Sequence, residues 1–443
     1  MLTLYRWLTV PAWLLLMTVG RLLPRVRVNI AARRGWAARL ARELAALPPA
    51  PAVIWIHCAS MGEFEAIRPL ARRLRTRGLR VVISFFSTSG PRHLPAEVEA
   101  DLVCYLPFDT PWSARRFVDL IAPDLAVVTK HDLWPNLLLA ARRRGARLAF
   151  VNANFHDRSR LALPWLRSFH RDLLAGFDWI AAVGPLMADR FQQLLTGCSV
   201  PVEATGDSRF DRVLERAQGN RSAELLPAGF RAATLLVAGS TWEPDEEAFL
   251  PAVARLRPLV PGGLHLLLVP HEPHAARLEQ LERRLAALDL PACRLSTLEQ
   301  DTWRGQPVIV VDRVGLLAGL YAGADLAWVG GGFTTGVHSV IEPAASGLPV
   351  LFGPRHHVSQ EAQDLLACGG AAEVTAADAD RLLEGLLLED GKRRGMARAA
   401  LGLVQARAGV TSRLEEGLLA LLGPGGAGPD RERSDPPEAW ASY

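Results

Sequence analysis

From residue 51 onward, short apolar runs alternate with longer amphipathic stretches. Residues 53–57, 81–85, 102–106, 125–129, 148–151 and 179–183 read as buried strands, and residues 65–77 and 133–144 between them carry the period of helices. A second set begins after residue 222, with strands predicted at 235–238, 264–269, 308–311, 326–329 and 350–352. Near-continuous apolar runs separated by helices imply parallel sheets covered on both faces. The pattern breaks near residues 211–230, where an arginine-rich helix end gives way to GNRSAELLPAGF. Two doubly wound domains joined there would bind ligands at the carboxyl ends of their strands. The boundaries drawn are a membrane anchor with its basic flank at 1–34, an N-terminal domain at 35–215 and a C-terminal domain at 216–422. A Gly/Pro/charge-rich tail at 423–443 is expected to be disordered.

The N-terminus breaks this rhythm. Residues 8–19, LTVPAWLLLMTV, carry no charge, and the stretch reaches membrane-span length only by including Arg6 and Pro11. No small-residue cleavage site precedes the basic run, so an uncleaved anchor is expected, with a buried core helix as the alternative. Arginines 21, 25, 27, 33 and 34 would keep the following chain on the cytoplasmic side, close to anionic lipid. Whether the helix spans or lies in one leaflet is open.

Charge sharpens that asymmetry. The 443 residues carry a formal +4, but the first fifty hold eight arginines against Glu43 alone, a net +7 that leaves −3 for the rest. A nucleic-acid partner needs its cations on the folded domain, so that class is excluded. The five cysteines (Cys58, Cys104, Cys198, Cys293, Cys368) include no CxxC, which argues against disulfides or zinc and for a reducing compartment.

Three constellations can carry chemistry. In WIHCASMGEFEAIRPL (55–70), a strand ends at His57 and a helix starts near Glu63, which places Ser60, Gly62 and Glu63 at the helix entrance. A carboxylate there can be a general base, or it can simply complement the helix dipole. In GGGFTTGVHSVIEPAASGLPVLFGP (330–354), a strand runs into three glycines and a helix predicted over 338–346. That loop is suited to a phosphate, with Glu342 placed for ribose hydroxyls, or it is a glycine turn made for close packing. Neither GxGxxG nor GxxxxGK[ST] is present. The third set, TKHDLWPN, NANFHDRS, GDSRFDR, AGSTWEPDEE and PHEPH, places polar residues directly after strands. His271 and His274 are spaced for a metal, but no HExxH or matching carboxylate cluster accompanies them, so no metal is expected.

Taken in order, the apolar anchor and basic run, SMGEFEAIRPL, YLPFDTPWSARRF, DLWPN, AGSTWEPDEE and GGGF…GVHSVIEPAASGLPVLFGP resemble the Kdo (3-deoxy-D-manno-octulosonic acid) transferases of lipopolysaccharide assembly, over roughly residues 1–420. The resemblance implies a GT-B fold, two Rossmann-like domains facing a cleft. It also implies an enzyme that uses CMP-Kdo as donor, a lipid A precursor (lipid IVA) as acceptor and no cofactor, at the cytoplasmic face of the inner membrane. Glu63 would be the base of an inverting transfer, with Asp132 and Arg209 supporting the transition state. CMP would lie against Pro270 and His271, against Val314, Gly315 and Leu316, and along Ser339, Val340, Ile341 and Glu342, with Ser60 and Gly62 toward the acceptor cleft. The chain departs from the family pattern in four places. Lys130-His131-Asp132 stands for the usual E-T-E, His271 for an arginine, Arg209 for a lysine and Ser339 for an asparagine.

Two other classes share part of this pattern: another GT-B enzyme (a lipid-directed glycosyltransferase or nucleotide-sugar epimerase), and a non-enzymatic membrane-anchored sugar-nucleotide binding protein. The first would not need Ser60–Glu65. The second predicts that Glu63→Gln is silent.

Overall fold

The computed structural model describes residues 2–87, 94, 98–130, 132–155, 163, 166–219, 222–298, 303–423 and 440. The chain divides into two compact units, Met1–Arg212 with Gly409–Tyr443, and Val213–Ala408. The first boundary falls three residues before the expected one. The Val410–Leu422 helix, placed by sequence at the end of the C-terminal domain, packs in the N-terminal unit. Of the tail, residues 424–439 and 441–443 lie outside the described residues. Trp440 buries its ring against Gly176 and donates its indole N–H to Asp172 O at 2.7 Å.

The N-terminal unit is built on a seven-stranded parallel sheet: β1 Val53–Cys58, β2 Arg80–Phe85, β3 Leu102–Tyr105, β4 Leu125–Thr129, β5 Arg147–Ala153, β6 Trp179–Ala182 and β7 Val202–Ala204, in spatial order β3-β2-β1-β4-β5-β6-β7. The order reverses between β1 and β4, which pair in register from Ile54–Leu125 to His57–Val128. Their carboxyl ends diverge into loops on opposite faces, and a ligand crevice forms at such a reversal. One face of the sheet is closed by helix α4 (Met61–Thr76) and the Val410–Leu422 helix, whose Val410, Leu414, Leu418 and Leu422 are buried against residues such as Leu125, Val127 and Trp179. Arg73 of α4 and Arg77 just after it hold the buried Glu415.

Before the sheet come α1 (Leu2–Thr18), α2 (Pro24–Ala32) and α3 (Trp36–Ala45). Among the described residues no helix is long and apolar enough to cross a membrane, so the expected anchor is not found as a span. With Pro11 inside it, α1 lies on the N-terminal unit. Tyr5 donates to Asp109 Oδ2 at 2.9 Å and packs on Phe169, and Trp13 meets Trp112 edge to face. Leu4, Trp7, Leu8, Leu14 and Leu15 remain exposed. Arg33, counted in the basic run, is buried. It donates to the carbonyls of Leu106 and Phe86 and lies over the rings of Phe86, Tyr105 and Phe108.

The second unit carries β8 Thr234–Thr241, β9 Leu264–Pro270, β10 Ala292–Arg294, β11 Val308–Val310, β12 Leu326–Val329, β13 Val350–Phe352 and β14 Ala371–Glu373, all parallel, in order β10-β11-β9-β8-β12-β13-β14. Here the reversal lies between β8 and β12. Trp328, fully buried in β12, packs on Phe249 and Phe333.

Candidate functional site

In the N-terminal unit the reversal point holds Glu63. Ser60, in extended backbone at the end of the β1 turn, caps α4 by accepting from the Glu63 N–H at 3.4 Å. The Glu63 side chain turns back along the helix entrance. Its Oε2 accepts from the Ala59 N–H at 2.8 Å and from Thr129 Oγ1, at the end of β4, at 2.9 Å. The two carboxylate oxygens differ: Oε2 holds the rotamer through these two bonds, and Oε1 accepts from no partner among the described residues. The side chain is only 7% exposed and lines a small cleft with Gly62, Lys130, Asn152, Asp207 and Arg209.

The loop after β7 supplies the far side of that cleft. Asp207 accepts from the Arg209 backbone N–H at 2.9 Å and from its guanidinium at 2.7–2.8 Å, which orients a cation beside the carboxylate. Ser208 donates to Ala66 O of α4 and accepts from Asn152 Nδ2, so β5, the post-β7 loop and the start of α4 are hydrogen-bonded together. Asp132 does not line this cleft. Its Oδ2 accepts from Trp134 Nε1 at 3.1 Å and lies 3.2 Å from His57 Nε2. Behind it runs a buried chain in which Trp55 Nε1 donates to Ser84 Oγ, 3.0 Å from His57 Nδ1. His57 thus anchors Asp132 to the β1–β2 core.

In the second unit the loops after β8, β9 and β12 bring three rings together. His271 and His338 stack at 4.4 Å between centroids, Trp242 lies 4.7 Å from His271, and its Nε1 donates to His338 Nε2 at 3.1 Å. That bond requires an unprotonated His338 Nε2, and burial together with the adjacent His271 pulls His338 below the usual imidazole range. Buried Asp245 binds the loops to each other by accepting from the N–H groups of Trp242, Gly331 and Phe333. Burial raises Asp245, and those three donors oppose the rise.

This arrangement changes the reading of the three glycines. The loop amides expected to cradle phosphate are largely occupied. Gly330 N–H donates to Gly239 O, Gly331 and Phe333 to Asp245, Thr334 and Gly336 to Gly331 O, and His338 to Gly330 O. A Cβ at Gly330 would meet Ser240 O. One at Gly331, whose φ is +90°, would meet Gly336 O and the His338 ring. The following helix is Ile341–Ala345, five residues rather than the nine expected over 338–346, too short to present an N-terminal anion site. Close packing accounts for the glycines.

Residues 29–212 match the family model described as 3-deoxy-D-manno-octulosonic-acid transferase (kdotransferase). A 3-deoxy-D-manno-octulosonic acid transferase of Bordetella pertussis is 32% identical over 401 residues, spanning 87% of this chain and 91% of the relative. The chain belongs to the Kdo transferase family. A Kdo transferase of Haemophilus influenzae is 29% identical over 88% of the chain and 91% of its own length. The fold is also that of a UDP-GlcNAc 2-epimerase from Neisseria meningitidis (TM-score 0.56, 14% identity, 83% of this chain and 99% of that one). A glycosyltransferase from Rickettsia africae shares it as well (TM-score 0.53, 13% identity, 84% and 99%). This Kdo transferase is therefore a glycosyltransferase built from two α/β units with parallel seven-stranded sheets.

Of the positions expected to act in a Kdo transferase, Glu63, Gly62 and Arg209 line one cleft, with Ser60 at its helix cap and Asp132 fixed outside the lining. Pro270 ends β9, and His271 follows it. Val314 is exposed, Gly315 has φ +86°, and Leu316 caps the short Leu317–Leu320 helix after β11. Ser339 is exposed, Val340 and Ile341 are buried, and Glu342 pairs with Arg216 at 3.5 Å. Sequence reasoning missed Thr129, Lys130, Asn152, Asp207, Trp242, Asp245 and His338 as site residues. All follow or end strands inside motifs already quoted, and chain order alone does not reveal which strands are neighbours. Among the described residues no three His, Cys, Asp or Glu side chains gather as a metal site.

Proposed function

We propose that this Kdo transferase moves Kdo from CMP-Kdo to a sugar hydroxyl of a lipid A precursor, lipid IVA, in lipopolysaccharide core assembly, with inversion and with Glu63 as general base. The observation that carries the reading is the asymmetry of the Glu63 carboxylate in a residue that lines the cleft at the sheet reversal: Oε2 is held by Ala59 and Thr129, and Oε1 has no donor among the described residues. In the step proposed, Glu63 Oε1 takes the proton of the acceptor hydroxyl. The hydroxyl oxygen forms a bond to the anomeric carbon, and the bond from that carbon to the CMP phosphate breaks with its electron pair leaving on CMP. Arg209, oriented by Asp207, and Asp132, oriented by His57, are the supporting groups in this reading. CMP is assigned to Pro270–His271, Val314–Leu316 and Ser339–Glu342 of the second unit. The leaving group is a monophosphate, which carries less charge than a diphosphate, and the reading includes no metal.

We also place the enzyme on the cytoplasmic face of the inner membrane, with α1 lying in the interface plane. The exposed row Leu4, Trp7, Leu8, Leu14, Leu15, Val19, Leu22 and Leu23, with Arg27 and Arg34 exposed nearby, supports that placement.

The test is CMP release from CMP-Kdo in the presence of lipid IVA. Glu63→Gln, which keeps an oxygen for Ala59 and Thr129, is expected to lower kcat by about 10²–10⁴-fold with CMP affinity retained. No CMP release by the wild-type enzyme with both substrates present sinks the assignment.

A further inference from the structure

Lys130 follows Thr129, the last residue of β4, at the reversal point of the N-terminal sheet. Its φ is +64°, a region that a residue with a side chain occupies at a cost and that clusters at functional sites. The backbone still serves the sheet there, the Lys130 N–H donating to Val151 O at 3.0 Å. Lys130 lines the cleft together with Glu63, Asn152, Asp207 and Arg209.

The charges around that cleft are otherwise accounted for. Asp207 is engaged by the Arg209 guanidinium and backbone. Glu63 Oε2 is satisfied by two neutral donors. Lys130 is half-buried as a residue, and its side chain makes no hydrogen bond or ion pair among the described residues. A compact ammonium with three rotatable donors suits a phosphate or carboxylate oxygen without demanding forked geometry.

We propose that Lys130 is a substrate-binding residue whose ammonium contacts an anionic group of a substrate in the N-terminal cleft. The proposal rests on the transfer reading above, in which two substrates supply such a group: the phosphate of the lipid acceptor and the carboxylate of the transferred acid sugar.

The experiment compares wild type, Lys130→Met and Lys130→Arg as full chains, with CMP-Kdo and either bisphosphorylated or monophosphorylated acceptor. Loss of one charged contact is expected to raise a single KM about 10- to 100-fold in Lys130→Met, with Lys130→Arg restoring most of it. A rise in acceptor KM that disappears with the acceptor lacking one phosphate assigns the contact to that phosphate. A rise in the KM for CMP-Kdo that is equal on both acceptors assigns it to the sugar carboxylate. Unchanged KM values overturn the proposal, as does a shift of only the acidic limb of the kcat–pH profile, which would make Lys130 a neighbour that tunes Glu63. Should the wild type fail to turn over, the transfer reading falls separately. Calorimetric binding of inorganic phosphate and of free Kdo then decides the role of Lys130: weaker binding of either by Lys130→Met supports it, and equal binding of both overturns it.

Discussion

Three of the five described non-glycine residues with positive φ sit at or beside the carboxyl end of a strand: Lys130 after β4, Asn152 in β5 and Ser240 in β8. Each conformation costs of order 1–3 kcal/mol and is held by the sheet beside it. Asp109 is a second kind of residue whose position works against its chemistry. It is buried at the entrance of the Pro135–Arg143 helix, where it accepts from Tyr5 and from the Asn136 and Leu137 N–H groups. Burial pushes it up to about 6 although those donors favour the carboxylate. Since the folded value lies above the unfolded one, about 3.9, the folded protein holds a proton between pH 4 and 6 that the unfolded chain has released. Stability therefore falls as pH rises through that window, by roughly 3 kcal/mol in all, and is flat in this contribution above pH 7. The measurement is chemical unfolding of wild type and Asp109→Asn from pH 4 to 7. The difference between them should shrink as pH rises, and a constant difference would assign Asp109 an ordinary carboxyl range.

At the scale of elements, the central strands were legible because a strand buried on both faces is an uninterrupted apolar run. The three that escaped, β7, β10 and β14, each lie at a sheet edge, are three residues long and are largely half-buried or exposed, so no such run marks them. Glu63 was legible for a related reason: Ser60 followed three residues later by an acid is a helix start, and α4 begins at Met61 rather than at 65 because that cap is made. The pairing of Asp207 with Arg209, and the binding of the glycine loop by Asp245, depend on which loops the topology brings together. The Val410–Leu422 helix, not marked out in the sequence pattern, belongs to the N-terminal unit rather than to the C-terminal domain. Its four buried apolar side chains contribute about 6–12 kcal/mol of burial, comparable to a whole domain's stability. A chain ending at residue 409 is expected to lose cooperative unfolding of the N-terminal unit while Val213–Ala408 keeps its own, as read by hydrogen exchange resolved along the sequence. Unchanged protection of β1 and β4 would refute this.

For the whole molecule, a net +4 divides into a basic first fifty residues and a slightly acidic remainder, and the structure withdraws the buried Arg33 from that basic surface. Binding to a membrane should accordingly depend on both the apolar row of α1 and the remaining exposed arginines. Leu8→Glu with Leu15→Glu is expected to weaken flotation with anionic vesicles by about 100-fold or more, and Arg27→Glu with Arg34→Glu to remove the salt-sensitive part. Turnover on detergent-solubilised acceptor should be unchanged by either pair, and vesicle binding indifferent to all four changes would refute the in-plane placement. The chain also leaves its first unit at Arg212 and returns to it at Gly409. At about 5–20 residues per second, a ribosome needs roughly 10–40 s to make the intervening segment. During that interval the newborn β1–β7 sheet waits with an oily flank bare, so the half of the protein that begins first is completed last.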